Sequence, residues 1–254
     1  MEVGELKMTK RLAVLAVVLC IVLIIVAGVI LMKNDFLNKV PETETPEEVQ
    51  PEPTMNPEDD AKFYNAESLL ILANKKHKLP NQYEPADLTE PDVRIRLDGI
   101  RVREVMVNDL TAMFDAAEEE EIYLVLGSGY RSDEEQQSIY DEYVERLGQE
   151  NADQISSKAG YSEHQTGLAI DIYNDDPTYD LSDEFVNTDA GKWLAEHAHE
   201  YGFILRYPQD AEEITGFAYE PWHYRYVGKE EAEKIHASGK CFEEYYGLKG
   251  GDYE

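Results

Sequence analysis

Hydrophobic positions in this chain change period along its length. From Leu12 to Met32 they are nearly continuous, with no charged residue in the run. At about 1.5 Å per residue such a helix crosses a hydrocarbon core of about 30 Å. Lys7, Lys10 and Arg11 precede the run, and acidic sequence soon follows Lys33, so the positive-inside bias places the N-terminus in the cytoplasm and everything after residue 33 outside. A cleaved signal peptide is the competing reading, but its apolar stretch is usually about 7–15 residues and ends at a small-residue site. Residues 33–60 then carry Pro41, Pro46, Pro51, Pro53 and Pro57 among many Glu, a composition that buries too little apolar surface to fold. A polyproline-like linker of this length reaches roughly 80 Å.

Beyond residue 60 the pattern becomes periodic. Val102, Val105, Met106, Leu110, Met113, Phe114 and Ala117 share a helical spacing, and the apolar run Ile122 to Leu126 after them predicts a strand. Ser132 and Glu135 form a capping-box signature, opening a helix whose buried stripe is expected to be Ile139, Tyr140, Tyr143, Val144 and Leu147. Gly167 to Tyr173 predicts a strand. Asp189 to about Tyr201 predicts a helix stopped at Gly202, with strand-like Phe203 to Arg206 after it. Trp222 to Val227 predicts a further strand, and Lys229 to Ala237 a short helix before Gly239. Helices and strands do not alternate strictly enough for a doubly wound parallel sheet, so the expected class is α+β, one domain over 61–254 with a mainly antiparallel central sheet flanked by helices. The expected organisation is therefore a cytoplasmic segment 1–11, a transmembrane anchor 12–32, a linker 33–60 and that domain.

Charge narrows the partners. Lys plus Arg number 23 against 53 acidic residues, a net charge of −30, which excludes a basic surface for nucleic acid. Of the two cysteines, Cys20 lies in the apolar run and Cys241 near the C-terminus, so neither has metal-site spacing and a disulfide between them is not expected.

Three segments concentrate polar residues: Ser128-Gly129-Tyr130-Arg131-Ser132, Ser162 to Asp171, and Glu220-Pro221-Trp222-His223. A catalytic zinc typically takes three His or carboxylate ligands and leaves a fourth position open, and His164, Asp171 and His223 would supply that set. On the predicted strand Leu168, Ile170 and Ile172 share one face, so Asp171 points the other way. That geometry alone better suits an ordinary half-exposed strand carboxylate than a metal ligand. Glu220 and His223 are three apart, on opposite faces of a regular strand, so a shared site needs a kink or bulge near Pro221. His77, His197, His199 and His236 read as structural.

These blocks, with Tyr201-Gly202-Phe203 and Tyr224-Arg225-Tyr226-Val227, occur in an order that resembles the zinc D-alanyl-D-alanine carboxypeptidases of the VanY type, related to the vancomycin-resistance dipeptidases. The resemblance runs through most of residues 69–246. It implies Zn2+ on His164, Asp171 and His223, Glu220 as catalytic base, Arg131 on the substrate carboxylate or transition-state charge, and Ser162 as a further contact to that carboxylate. Ala159-Gly160 departs from the Pro-Gly that often precedes the ligand block, which affects a loop more than the chemistry. The implied function is removal of a C-terminal D-alanine from peptidoglycan stem peptides, and the apolar run adds the expectation of a single-pass membrane protein with its catalytic domain outside the cell. L,D-carboxypeptidase action on tetrapeptides and crosslink endopeptidase action share the same metal chemistry, and a wall-binding module with a structural zinc is the non-enzymatic alternative. A penicillin-binding serine enzyme is disfavoured, because no Ser is followed three residues later by Lys. Carboxylates such as Glu163 and Asp175 are candidates to receive an amino group of the substrate.

Overall fold

Two interior strands set the order of the main sheet. A computed structural model describes residues 57–253, and in it β3 (Val125–Ser128), β4 (Ala169–Tyr173), β5 (Phe203–Leu205) and β6 (His223–Tyr226) form an antiparallel sheet in the order β3-β4-β6-β5. A two-stranded ribbon, β1 (Leu88–Thr89) with β2 (Val102–Arg103), stands apart from it. This is the expected α+β class with an antiparallel sheet. The described residues lie in the compact unit Pro53–Glu254. Among them no helix is long and apolar enough to cross a membrane; the expected anchor at 12–32 and most of the linker lie outside the described residues. The last linker positions, from Pro57, already belong to helix α1 (Pro57–Tyr64).

Burial follows sequence periodicity where a helix has one core face. Helix α2 (Glu104–Glu119) buries Met106, Leu110, Met113, Phe114 and Ala117 as expected. Val105 is 47 % exposed, because it precedes Met106 in the first turn and faces away from the sheet. Strand β4 is buried on both faces, so Leu168, Ile170 and Ile172 enter the main core while Ala169, Asp171 and Tyr173 are covered from the other side. The expected helix over Asp189–Tyr201 is α4 (Asp189–His197) continued by a tighter 3₁₀ turn, Ala198–Tyr201. It stops at Gly202, whose φ of 90° is left-handed backbone that suits glycine.

Helix α3 (Asp133–Leu147) departs from expectation. Its capping box is present: Ser132 Oγ accepts from the Glu135 amide, and the Glu135 carboxylate accepts from the Ser132 amide. Yet only Gln136 and Tyr140 are buried; Ile139, Tyr143 and Val144 are half-buried and Leu147 is 39 % exposed. The stripe is incomplete because Ile139 and Tyr143 face a cleft rather than the core.

Beneath the sheet lies a buried ionic network. Arg206, after β5, donates Nε to Glu163 Oε1 at 2.7 Å and both terminal nitrogens to Glu243 at 2.6 and 2.8 Å. Arg225 of β6 donates to the same Glu163 oxygen at 2.8 Å, and to the Leu69 and Ile71 carbonyls. All four charged side chains are fully buried and the charges sum to zero, so each guanidinium offsets the desolvation of a carboxylate.

Candidate active site

The sheet register builds the site. On β4, Asp171 sits directly opposite His223 of β6 and pairs with Ser128 of β3 on its other side. Directly opposed residues share a face, so Asp171 and His223 project into the same space. His164 arrives from the 3₁₀ turn Glu163–Thr166 just before β4. Its Nδ1 donates to the Gly129 carbonyl at 2.8 Å, which leaves Nε2 with its lone pair pointing into the site. A side chain on Gly129 would place Cβ 2.4 Å from the Arg101 carbonyl oxygen, so this loop can approach His164 closely only as glycine.

One carboxylate oxygen is the focus. Asp171 Oδ1 lies 3.5 Å from His164 Nε2 and 3.4 Å from His223 Nδ1, and the two imidazoles stand edge to face. One ligand atom from each of His164, Asp171 and His223 falls within a 4.8 Å span. Asp171 Oδ1 is buried and lacks a hydrogen-bond partner. An anionic oxygen in that condition is costly unless a cation meets it. Two imidazoles and one carboxylate with an open side toward a cleft are the donor set of a catalytic rather than a structural zinc.

Electrostatics agree. Burial would raise the Asp171 pKa, but the two neighbouring imidazoles hold it well below the carboxylate range. His164 is lowered to about 4 by burial and by the Arg131 charge, so it is neutral and able to ligate. Burial would lower His223, but Asp171, Glu163 and Glu220 raise it to about 9, a proton that a metal displaces. Burial lifts the Glu220 carboxyl to about 7 against the opposing pull of His223. A carboxyl titrating near neutrality suits an acid-base group.

Glu220 reaches the site by a turn at Pro221, the kink that the spacing of Glu220 and His223 required. The His223 amide donates to the Glu220 carbonyl at 3.1 Å, and β6 begins only at His223. Alternation therefore does not apply across Pro221, and Glu220 Oε2 comes to 3.5 Å from His223 Nδ1. Arg131 and Ser162 line the same cleft, of about 630 Å³. The five charged or imidazole residues and the serine singled out in the sequence thus converge. The other histidines lie elsewhere: His77 contacts Asn74, His197 packs on Trp193, and His199 stacks on His236.

Glu163 departs from the expectation of a substrate contact. It cannot receive a substrate amino group, because it is fully buried and bound by Arg206 and Arg225. Its free Oε2 faces His223 Nε2 at 3.8 Å, the place from which a carboxylate orients a metal-binding imidazole. Asp175 is exposed, pairs with Arg94 and does not line the cleft. Gln136, absent from the expected site, is buried in the cleft wall, donates to the Ser157 carbonyl, and leaves its amide oxygen unpartnered among the described residues. A polar residue on the expected core side of an amphipathic helix was the available signal.

Residues 99–229 match the family model described as VanY, D-alanyl-D-alanine carboxypeptidase. The chain belongs to the VanY family. A D-alanyl-D-alanine carboxypeptidase of Enterococcus faecalis is 40 % identical over 185 residues, covering 69 % of this chain and 65 % of that protein. Among solved structures, the LdcB LD-carboxypeptidase is 42 % identical with a TM-score of 0.68, covering 73 % of this chain and 89 % of the other. A mutant of the vancomycin-resistance D,D-pentapeptidase VanY in complex with Zn(II) is 38 % identical with a TM-score of 0.60, covering 69 % and 97 %. As a VanY-family member the chain is a zinc metallo-carboxypeptidase, and its His/Asp cluster fits that ion.

Proposed function

We propose that this enzyme removes the C-terminal D-alanine from peptidoglycan stem peptides, with His164, Asp171 and His223 holding zinc. The observation that carries the reading is the meeting, in one cleft, of that donor set, a carboxyl raised toward neutrality and an arginine without an acidic partner. When bound, zinc supplies Lewis acidity that polarises a carbonyl oxygen and acidifies water. Glu220 takes the proton from the attacking water on its carboxylate and delivers it to the departing amine nitrogen, and a pKa of about 7 serves both transfers. Arg131 grips the free terminal carboxylate through its planar fork, which restricts cutting to the last peptide bond, and Ser162 adds a hydroxyl contact. Chelators are expected to abolish hydrolysis, and stoichiometric penicillin to leave it unchanged, because no acyl-serine forms; penicillin inhibition would point to a serine enzyme.

L,D-cleavage of tetrapeptides is the second reading, favoured by the likeness to the LdcB LD-carboxypeptidase. The two substrates present the same terminal D-alanine and differ one residue upstream, where a mismatch of a few methylenes is worth about 1–3 kcal/mol each. With matched synthetic pentapeptide and tetrapeptide, mass spectrometry is expected to show the higher specificity constant for the peptide ending in D-Ala-D-Ala. The reverse order would move the enzyme to the L,D class and leave the metal chemistry in place.

The membrane location rests on the sequence: an uncharged apolar run at 12–32 with Lys7, Lys10 and Arg11 before it. Protease added outside wall-free protoplasts is expected to degrade the chain after residue 33. Protection until the membrane is permeabilised would invert the orientation.

A further inference from the structure

The cleft continues well past the metal ligands along α3. Gln136, Ile139, Tyr143 and Arg146 all line it, and their spacing of three, four and three puts them on one helix face. Ten residues at about 1.5 Å rise place Arg146 roughly 15 Å along the helix from Gln136. Arg131, just before the helix, marks the near end of this wall.

The arginines divide by environment. Arg94, Arg96, Arg101, Arg103, Arg206 and Arg225 each pair with a carboxylate. Among the described residues only Arg131 and Arg146 form no such pair, and both line the cleft. Glu142 lies one turn before Arg146 and faces the same cleft, yet the guanidinium lies over the Tyr143 ring at 4.8 Å. Stacking of this kind holds the planar fork in place and leaves its N–H edge free for an anion.

We propose that Arg146 recognises a second carboxylate on the substrate, carried three to four residues upstream of the terminal one. The inference rests on the carboxypeptidase reading, in which Arg131 holds the terminal carboxylate. An extended peptide covers roughly 10–13 Å in three to four residues at about 3.3 Å each, and the long side chains of Arg131 and Arg146, reaching in from the two ends of the wall, span the rest. The substrate class is then an acidic stem peptide, in which a γ-linked glutamate keeps its α-carboxylate free; conversion of that group to a carboxamide removes the contact.

The test is direct binding to the zinc-loaded Glu220→Gln enzyme, which does not consume its ligand. Two pentapeptides ending in D-Ala-D-Ala are compared by calorimetry, one with γ-linked glutamate at its second position and one with the carboxamide there. The carboxylate peptide is expected to bind roughly fivefold more tightly, the upper range for a solvent-accessible ion pair, and that ratio to fall with added salt. Adding Arg146→Gln is expected to bring the ratio to about one, and Arg146→Lys to restore part of it. Equal affinities for the two peptides, or a ratio that survives Arg146→Gln, would overturn the proposal. If the ratio holds but wild-type enzyme cleaves neither peptide, the carboxypeptidase reading fails and the Arg146 assignment stands.

Discussion

Glu220→Gln is expected to bind one zinc per chain as the wild type does and to hydrolyse peptide at least about 10²-fold more slowly. The amide is nearly isosteric with the carboxyl and keeps the turn at Glu220–His223, but it cannot take up a proton from water. Glu220 also lies beside the donor set rather than within it: the ligand cluster is His164, Asp171 and His223. His164→Ala and His223→Ala, by contrast, each remove a donor from a three-residue site and are expected to lose both metal and turnover. Metal content by elemental analysis and turnover of a D-Ala-D-Ala peptide, measured on the same preparations, separate the two classes. Near-wild-type turnover in Glu220→Gln removes Glu220 from the base role, and full zinc retention in both histidine variants removes the ligand assignment.

The largest expected loss of stability follows Arg206→Ala. Among the described residues Arg206 alone binds both buried carboxylates, Glu163 and Glu243. Its truncation leaves two anions in the interior with Arg225 alone to offset them, and breaking a buried pair from one side costs about 3–5 kcal/mol. For a domain of about 200 residues that corresponds to a fall of roughly 6–20 °C in Tm. The measurement is thermal unfolding in excess chelator, so that metal binding does not mask the difference. A second readout follows from the position of Glu163 behind His223: zinc affinity is expected to fall by about 10- to 100-fold, the range for losing support behind a ligand. An unchanged Tm would show that the network contributes little, and an unchanged affinity that Glu163 does not orient His223.

Elements with a single buried face were legible because burial and periodicity coincide there. The α2 stripe from Met106 to Ala117 and the Ser132–Glu135 capping box are local consequences of helix geometry. The stripe of α3 misled for the same reason: amphipathicity marks a face removed from bulk solvent without saying whether the cover is protein core or a binding cleft. Glu163 misled more deeply. A glutamate in a polar block reads as a solvent-facing group, and the guanidiniums that make its burial tolerable come from residues 43 and 62 positions later.

By itself the sequence determined the chemistry available: two histidines and an aspartate of zinc-binding type, a glutamate and an arginine beside them, and motif blocks in an order that resembles one family. It also determined the fold class, through the spacing of apolar positions. Only the tertiary structure decided how those groups meet. The β4–β6 register puts Asp171 opposite His223, the turn after Glu220 brings that carboxylate to the same side, and the sheet seats His223 against Glu163. Each of these depends on pairing between segments distant in sequence. Local propensity carries no information about register, because sliding an antiparallel pair by one residue preserves every local preference while turning each side chain to the other face.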